Sequence, residues 1–242
     1  IQALGNSASA EAIERIIRKR ARLEKIAIKD VKLRTFITQD NARDEMVAHV
    51  YDTTHGAVKR GADTLVVIDD SIVRGTTLKR SIIKMLDRLE PKKIIIVSSA
   101  PQIRYPDCYG IDMAKLGDFI AFQAAIALHK EAGTYDEITG NVLRECQRME
   151  ALPAAQQQNA VRAIYAAFSA EQISEKIAQL VTPANTLAKV EVLFQTIEGL
   201  HNACPEHTGD WYFTGNYPTP GGHRVVNRAF VNYMEGRNER AY

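Results

Sequence analysis

The sequence predicts an α/β protein: a parallel sheet flanked by helices, with a helical and aromatic-loop C-terminal extension. Three observations predict it. Short apolar runs at Leu65–Ile68 and Ile94–Ser98 have the length of strands, and segments with helical apolar spacing lie between and after them. Strands that alternate with helices imply parallel pairing through right-handed crossovers. After Pro205 the texture changes, with Trp211, Tyr212, Phe213, Tyr217, Pro218, Pro220, Gly221 and Gly222 close together.

Each element follows from its pattern. Residues 8–26 carry Ala12, Ile13, Ile16, Ile17, Ala21, Leu23 and Ile26 among basic and acidic residues, an amphipathic helix whose basic outer face reads as solvated surface. Val31–Ile37 alternates as a strand, Thr38–Asn41 breaks it, and Ala42–Val58 returns to helical spacing. Leu65–Ile68 reads as a buried strand, Leu78–Leu89 as the helix after it, Pro91 as a turn, and Ile94–Ser98 as a second buried strand. Residues 115–149 are mostly helical, and Pro153–Asn159 is a polar linker. Val161–Phe168 reads as a late strand. Ser169 and Gln172 form a capping box for a helix to Leu180, which Thr182-Pro183 ends. Residues 188–203 read as another amphipathic helix, Pro205–Gly222 as an aromatic loop packed on the domain, and Val225–Tyr233 as a short last helix. Trp211 is expected to be largely buried against the domain or a neighbouring subunit, since so much aromatic surface is unusual on a soluble monomer.

Bulk properties exclude several classes. The 242 residues are 45% hydrophobic and 25% charged, as in an ordinary globular protein. The net charge of +2 gives no field to draw nucleic acid or an anionic membrane. No apolar run approaches the length of a membrane span. Cys108, Cys146 and Cys204 are odd in number and widely spaced, which points to a reducing, cytoplasmic setting. The chain opens Ile1-Gln2-Ala3, without Met or a signal-peptide pattern, and the expectation is an interior piece of a longer polypeptide.

The chemistry concentrates in Leu65–Thr77. A strand delivers Asp69 and Asp70 to a short loop, Ser71, Ile72, Val73, Arg74, Gly75, Thr76 and Thr77, which leads into a helix. Backbone N–H groups and hydroxyls of such a loop can hold a phosphate. Adjacent carboxylates can hold Mg²⁺ or sugar hydroxyls. The stretch is neither a P-loop, since no Lys follows the glycine, nor a dinucleotide fingerprint, since Gly75 is alone in the turn. A ribose with free hydroxyls and a bound Mg²⁺ explains two acids beside a phosphate loop; a bare pyrophosphate does not. The plain alternative is a strand–turn–helix with a solvated Asp-Asp turn. Arg74 can serve phosphate or pair with a nearby acid. His201, Cys204 and His207 have ligand side chains three residues apart, with Asp210 or His223 conceivable as a fourth. Pro205 breaks that helix, so a helix end followed by an ordered loop is the preferred reading, with a metal site the alternative.

Asp69–Thr77 resembles the phosphoribosyl-pyrophosphate (PRPP) motif of the type I phosphoribosyltransferases. Arg34-Thr35-Phe36-Ile37, Ser98-Ser99-Ala100-Pro101, Arg104-Tyr105-Pro106 and Tyr109-Gly110-Ile111-Asp112-Met113 narrow the resemblance to the glutamine PRPP amidotransferase family. It covers about residues 31–130, with a weaker echo to 180. The resemblance implies a partial phosphoribosyltransferase-type domain over 1–182, its first strands missing, and an extension over 183–242. It implies a glycosyltransferase function: 5-phosphoribosylamine from PRPP and glutamine-derived ammonia, opening purine biosynthesis. Asp69 and Asp70 would serve Mg²⁺ and the ribose, Ser71–Thr77 the 5′-phosphate, and Arg34 would join the PRPP site. A glutaminase domain of the same polypeptide and a homo-oligomeric assembly are the implied partners, with no nucleic acid and no membrane. Without that glutaminase, this piece is expected to be inactive with glutamine. The family's pyrophosphate loop is basic, whereas Thr38–Glu45 has Arg43 as its one cation; Lys32 and Arg34 could compensate. Some members carry an iron–sulfur cluster with a cysteine two residues before the Tyr-Gly. Asp107 stands there and Cys108 is one residue off, so no cluster is expected. A non-catalytic PRPP-sensing regulator on the same fold is the alternative function.

Overall fold

The computed structural model describes residues 9–19, 22–24, 27–29, 51–53, 56–110, 113–207 and 209–241. It forms two compact units, residues 1–57 and 58–242. In the first, helix α1 spans Ala10–Ile17, and the Ser9 hydroxyl accepts a bond from Ala12 N–H at 3.2 Å. The helix is shorter than the sequence pattern suggests, with residues 22–24 non-helical. Strands β1 (Ala27–Lys29) and β2 (Tyr51–Thr53) pair antiparallel. The helix expected over Ala42–Val58 is therefore corrected at 51–53, where cross-strand pairing overrides helical spacing. The strand expected over Val31–Ile37, the polar break after it, residues 42–50 and Arg34 lie outside the described residues.

The second unit is built on a parallel sheet ordered β3-β4-β5: Thr64–Asp69, Lys93–Ser98 and Lys189–Phe194. A π-type turn, Leu78–Ile82, runs into helix α2 (Ile83–Asp87) and connects β3 to β4. Helices α3 (Ile120–Glu131), α4 (Tyr135–Glu150), α5 (Arg162–Ala166) and α6 (Ala170–Val181) lie between β4 and β5. Then come α7 (Ile197–Ala203), the one-turn α8 (Trp211–Thr214) and α9 (Pro220–Met234). This is the α/β class that the alternation of strands and helices predicts.

Four readings change in this unit. Leu65 is buried, but Val66 and Ile68 are 61% and 73% exposed, so β3 is not buried on both sides. Register places Val66 beside Ile95, and Ile68 beside Val97, which in turn neighbours Leu193, on that open face. A run of four apolar residues carries no periodicity that could have separated these faces. Val161–Phe168 contains helix α5, not a strand. Val161, Ile164, Tyr165 and Phe168 stand at i, i+3, i+4 and i+7, the spacing of one helix face, and the first three are buried.

Residues 188–203 are not one helix but strand β5 followed by α7. Val190 and Val192 align with buried Ile94 and Ile96 of β4, and tertiary pairing decides the state of this short apolar run. Leu187 and Ala188 N–H donate to the Asp87 carboxylate, pinning the entry to β5 at the end of α2. Residues 189–194, within the segment 183–242 set apart in the sequence, thus supply a sheet strand. Finally, the aromatic segment holds α8, and α9 begins at Pro220 rather than Val225. The capping box of α6 is present in both halves.

The core lies between the sheet and the helices. Phe122 of α3 meets Phe230 and Tyr233 of α9 edge-on, with centroids 6.2 and 4.8 Å apart. Fully buried Asn227 donates to Gln158 O at 2.8 Å and accepts from Ala160 N–H at 3.1 Å, tying α9 to the linker before α5.

Candidate functional site

Asp69 ends β3 at the carboxyl edge of the sheet, level with Ser98 of β4. Ligands of parallel α/β sheets bind at that edge. The two turns there are bonded together: Ser99 N–H donates to Asp69 O at 2.9 Å, and Ala100 N–H to Asp70 O at 3.0 Å. The Ser98–Pro101 stretch singled out in the sequence thus braces the acidic turn. Within it, Asp70 N–H donates to Asp69 Oδ1 at 3.0 Å and Ser71 N–H to Asp70 Oδ1 at 2.6 Å. The two carboxyl groups also interact with each other directly, side chain to side chain. Burial pushes the Asp69 carboxyl up from its ordinary range; the bond from Asp70 N–H opposes this, and the Asp70 charge adds to it. A cation between two such neighbours would relieve both burial and repulsion. Two adjacent carboxylates fit Mg²⁺, which binds through one or two carboxylates and keeps waters or phosphates.

The loop beyond is held from below. Ile72 is 3% exposed, so its side chain is an anchor and only its backbone can face a ligand. Val73 O accepts from Ile120 N–H, at the start of α3, at 2.8 Å. Gly75 adopts φ +68°, and a Cβ there would meet Val181 Cγ1 of α6 at 2.9 Å and Ile120 Cγ1 at 3.3 Å. Only glycine suits both the dihedral and the space. Thr76 and Thr77 are exposed, and Thr77, capping the π-type turn, makes no side-chain cap bond. Arg74 Nε lies 3.6 Å from Asp118 Oδ2, with both side chains near half exposed, so an acid is within reach of it at the surface. Asp118, Ile120 and Val181 are supports that sequence reasoning missed. Gly75 signals a close approach of backbone, but nothing in the sequence names its neighbours.

Other predicted residues fall elsewhere. Arg34, Lys32, Thr38–Glu45, Ile111 and Asp112 lie outside the described residues. His201 Nε2 is 3.4 Å from Asp210 Oδ2, whereas Cys204 and His207 are exposed. Among the described residues, no group of three His, Cys, Asp or Glu side chains is placed to hold a metal. Asp107 is buried and accepts from Tyr109 N–H at 3.0 Å and from the Tyr212 hydroxyl at 2.9 Å. Burial, then the Asp107 charge, pushes the neighbouring Cys108 thiol up. The aromatic segment is packed: Tyr217 is buried and donates to Pro106 O at 2.7 Å. Trp211 is mostly covered, with its indole Nε1 buried and its ring edge-on to Tyr109 at 5.7 Å.

No family model matches the chain. Parts of it are similar to curated proteins named amidophosphoribosyltransferase. Identity is 48% over 58 residues to that of Pasteurella multocida, covering 24% of this chain and 11% of that protein. The Escherichia coli protein is 47% identical over 57 residues, covering 24% and 11%. The Schizosaccharomyces pombe protein is 35% identical over 91 residues, covering 36% and 17%. The match thus spans 11% of the first of these relatives, a small part of its length. A solved structure of glutamine PRPP amidotransferase from Bacillus subtilis is similar at 24% identity and a TM-score of 0.44, covering 81% of this chain and 32% of that one. What the sequence matches establish is that part of this chain is shared with the amidophosphoribosyltransferases, and the resemblance read from its motifs stands.

Proposed function

We propose that this chain is the PRPP-binding transferase portion of an enzyme that makes 5-phosphoribosylamine from PRPP and glutamine-derived ammonia, the first step of de novo purine biosynthesis. The observation that carries the reading is the acidic turn at the carboxyl end of β3, two braced carboxylates followed by a loop whose one glycine is packed against α3 and α6. The similarity of part of the chain to amidophosphoribosyltransferases supports it. Asp69 and Asp70 would hold Mg²⁺ and the ribose hydroxyls. Ser71, the backbone of Ile72–Gly75, and Thr76 and Thr77 would take the 5′-phosphate, with Arg34 and Arg74 adding positive charge. Bound Mg²⁺ would neutralise the leaving pyrophosphate. Positioning of PRPP supplies the rest, since ammonia attacks and no protein nucleophile is needed. A glutaminase domain of the same polypeptide would deliver the ammonia, in a cytoplasmic homo-oligomer. No helix among the described residues is long and apolar enough to cross a membrane.

Calorimetric titration of the intact polypeptide with Mg·PRPP tests this. Asp69→Ala and Asp70→Ala should each weaken binding by roughly tenfold or more, the cost of one charge-assisted contact. Their circular dichroism should match that of the parent. Unchanged binding in the double variant would sink the assignment. Binding without phosphoribosylamine formation from PRPP and ammonia would favour the sensing regulator instead.

A further inference from the structure

Strand β5 is one of the two outer strands of the sheet among the described residues, and its free edge borders a groove of about 1120 Å³. Lys189 N–H donates to Lys92 O at 3.4 Å and Gln195 N–H to Ser98 O at 3.1 Å, so odd-numbered residues of β5 turn their backbone toward β4. Val190, Val192 and Phe194 therefore turn their N–H and C=O groups outward, where no described residue bonds them. Such a row of unpaired groups is a template for another strand. The opposite wall leaves room for one: α6 presents Ala170, Ser174 and Ala178, small residues one turn apart, to the same groove.

Charge selects the occupant. Arg104 is bonded to Gln102 Oε1 at 2.7 Å and stacks on Tyr165, and Lys189 and Lys93 both reach Glu191, at 3.0 and 2.6 Å. The acids of the α6 wall, Glu171 and Glu175, are exposed, one turn apart, and unpaired with any cation among the described residues. The geometry points to a peptide-docking edge: an extended, basic segment of another polypeptide adds as a further strand beside β5, its Lys or Arg side chains facing Glu171 and Glu175. Six residues of β5 offer roughly 20 Å of edge, at about 3.3 Å per residue.

The probe is an acetylated, amidated hexapeptide, Lys-Val-Thr-Val-Lys-Thr, added to the full chain and followed by residue-resolved hydrogen exchange and fluorescence anisotropy. In the chain alone, the amides of Val190, Val192 and Phe194 should exchange faster than those of Glu191 and Leu193. Saturating peptide should slow the first three by about tenfold or more, as strand pairing protects amides. A peptide N-methylated at alternate residues, or with both Lys replaced by Glu, should not bind. Glu171→Gln combined with Glu175→Lys should weaken the basic peptide by roughly fivefold, the scale of two exposed charge contacts. The peptide controls decide the matter even if that variant misfolds. The proposal is overturned if those three amides are already protected in the chain alone, if millimolar basic peptide leaves them unchanged, or if the N-methylated or acidic peptide binds as well.

Discussion

Replacing Gly75 by alanine tests how the loop after Asp70 is held. At φ +68° a side chain pays for the left-handed conformation, about 1 kcal/mol. Its Cβ would also enter space occupied by Val181 Cγ1, 2.9 Å away, and Ile120 Cγ1, 3.3 Å away. Both neighbours are buried, at 1% and 4% exposure, so neither can swing into solvent. Overpacking of this kind costs about 1–3 kcal/mol, for a total of roughly 2–4 kcal/mol. Gly133 supplies the control. Its φ is +69°, yet nothing lies within 4 Å of its Cβ position. Gly133→Ala should therefore cost only the backbone part, about 1 kcal/mol. In thermal denaturation these costs lower Tm by roughly 5–15 °C for Gly75→Ala and by roughly 2–4 °C for Gly133→Ala. The difference between the two variants measures the packing of the loop against α3 and α6. Equal shifts in both would refute the argument, because they would show that Val181 and Ile120 do not close on the glycine.

Asn227→Ala should be destabilising, by about 1–3 kcal/mol in urea unfolding, because it removes the buried amide that serves the part-buried Ala160 N–H and Gln158 O and leaves a small void; a loss below about 0.5 kcal/mol would mean that water replaces the amide. Alkaline pH should loosen the fold. Burial pushes the Tyr105 and Tyr212 hydroxyls up to about 12, from an ordinary value near 10. The unfolded chain therefore releases these protons first, and stability, full below pH ~10, falls as pH rises from about 10 to about 12. Urea midpoints measured across that range, with tyrosinate absorbance followed in parallel, check this, and Tyr105→Phe should flatten the decline.

The sequence showed the motif well and the faces poorly. Asp69, Asp70 and Gly75 are legible because acids and a lone glycine between a strand and a helix have few structural uses. The capping box at Ser169 and Gln172 is legible because both halves of a cap are local. The open face of β3 was hidden: Leu65–Ile68 is uniformly apolar, and only pairing with β4 shows that Val66 and Ile68 point away from the helices. Val161–Phe168 and residues 188–203 were misread for the same reason, since short apolar runs suit either state until partners are known.

By itself, then, the sequence determined the α/β class, the strand that carries the acids, the loop after it and the caps that bound α6. Each is a matter of neighbours along the chain, where dihedral preference and local hydrogen bonding decide. Only the tertiary structure decided that α3 and α6 close beneath Gly75, that Asp118 reaches Arg74, and that residues 189–194 join the sheet with one edge bare. Those are contacts between residues about 40 to 100 positions apart, and no local pattern encodes them: they come from burying apolar surface once the elements meet.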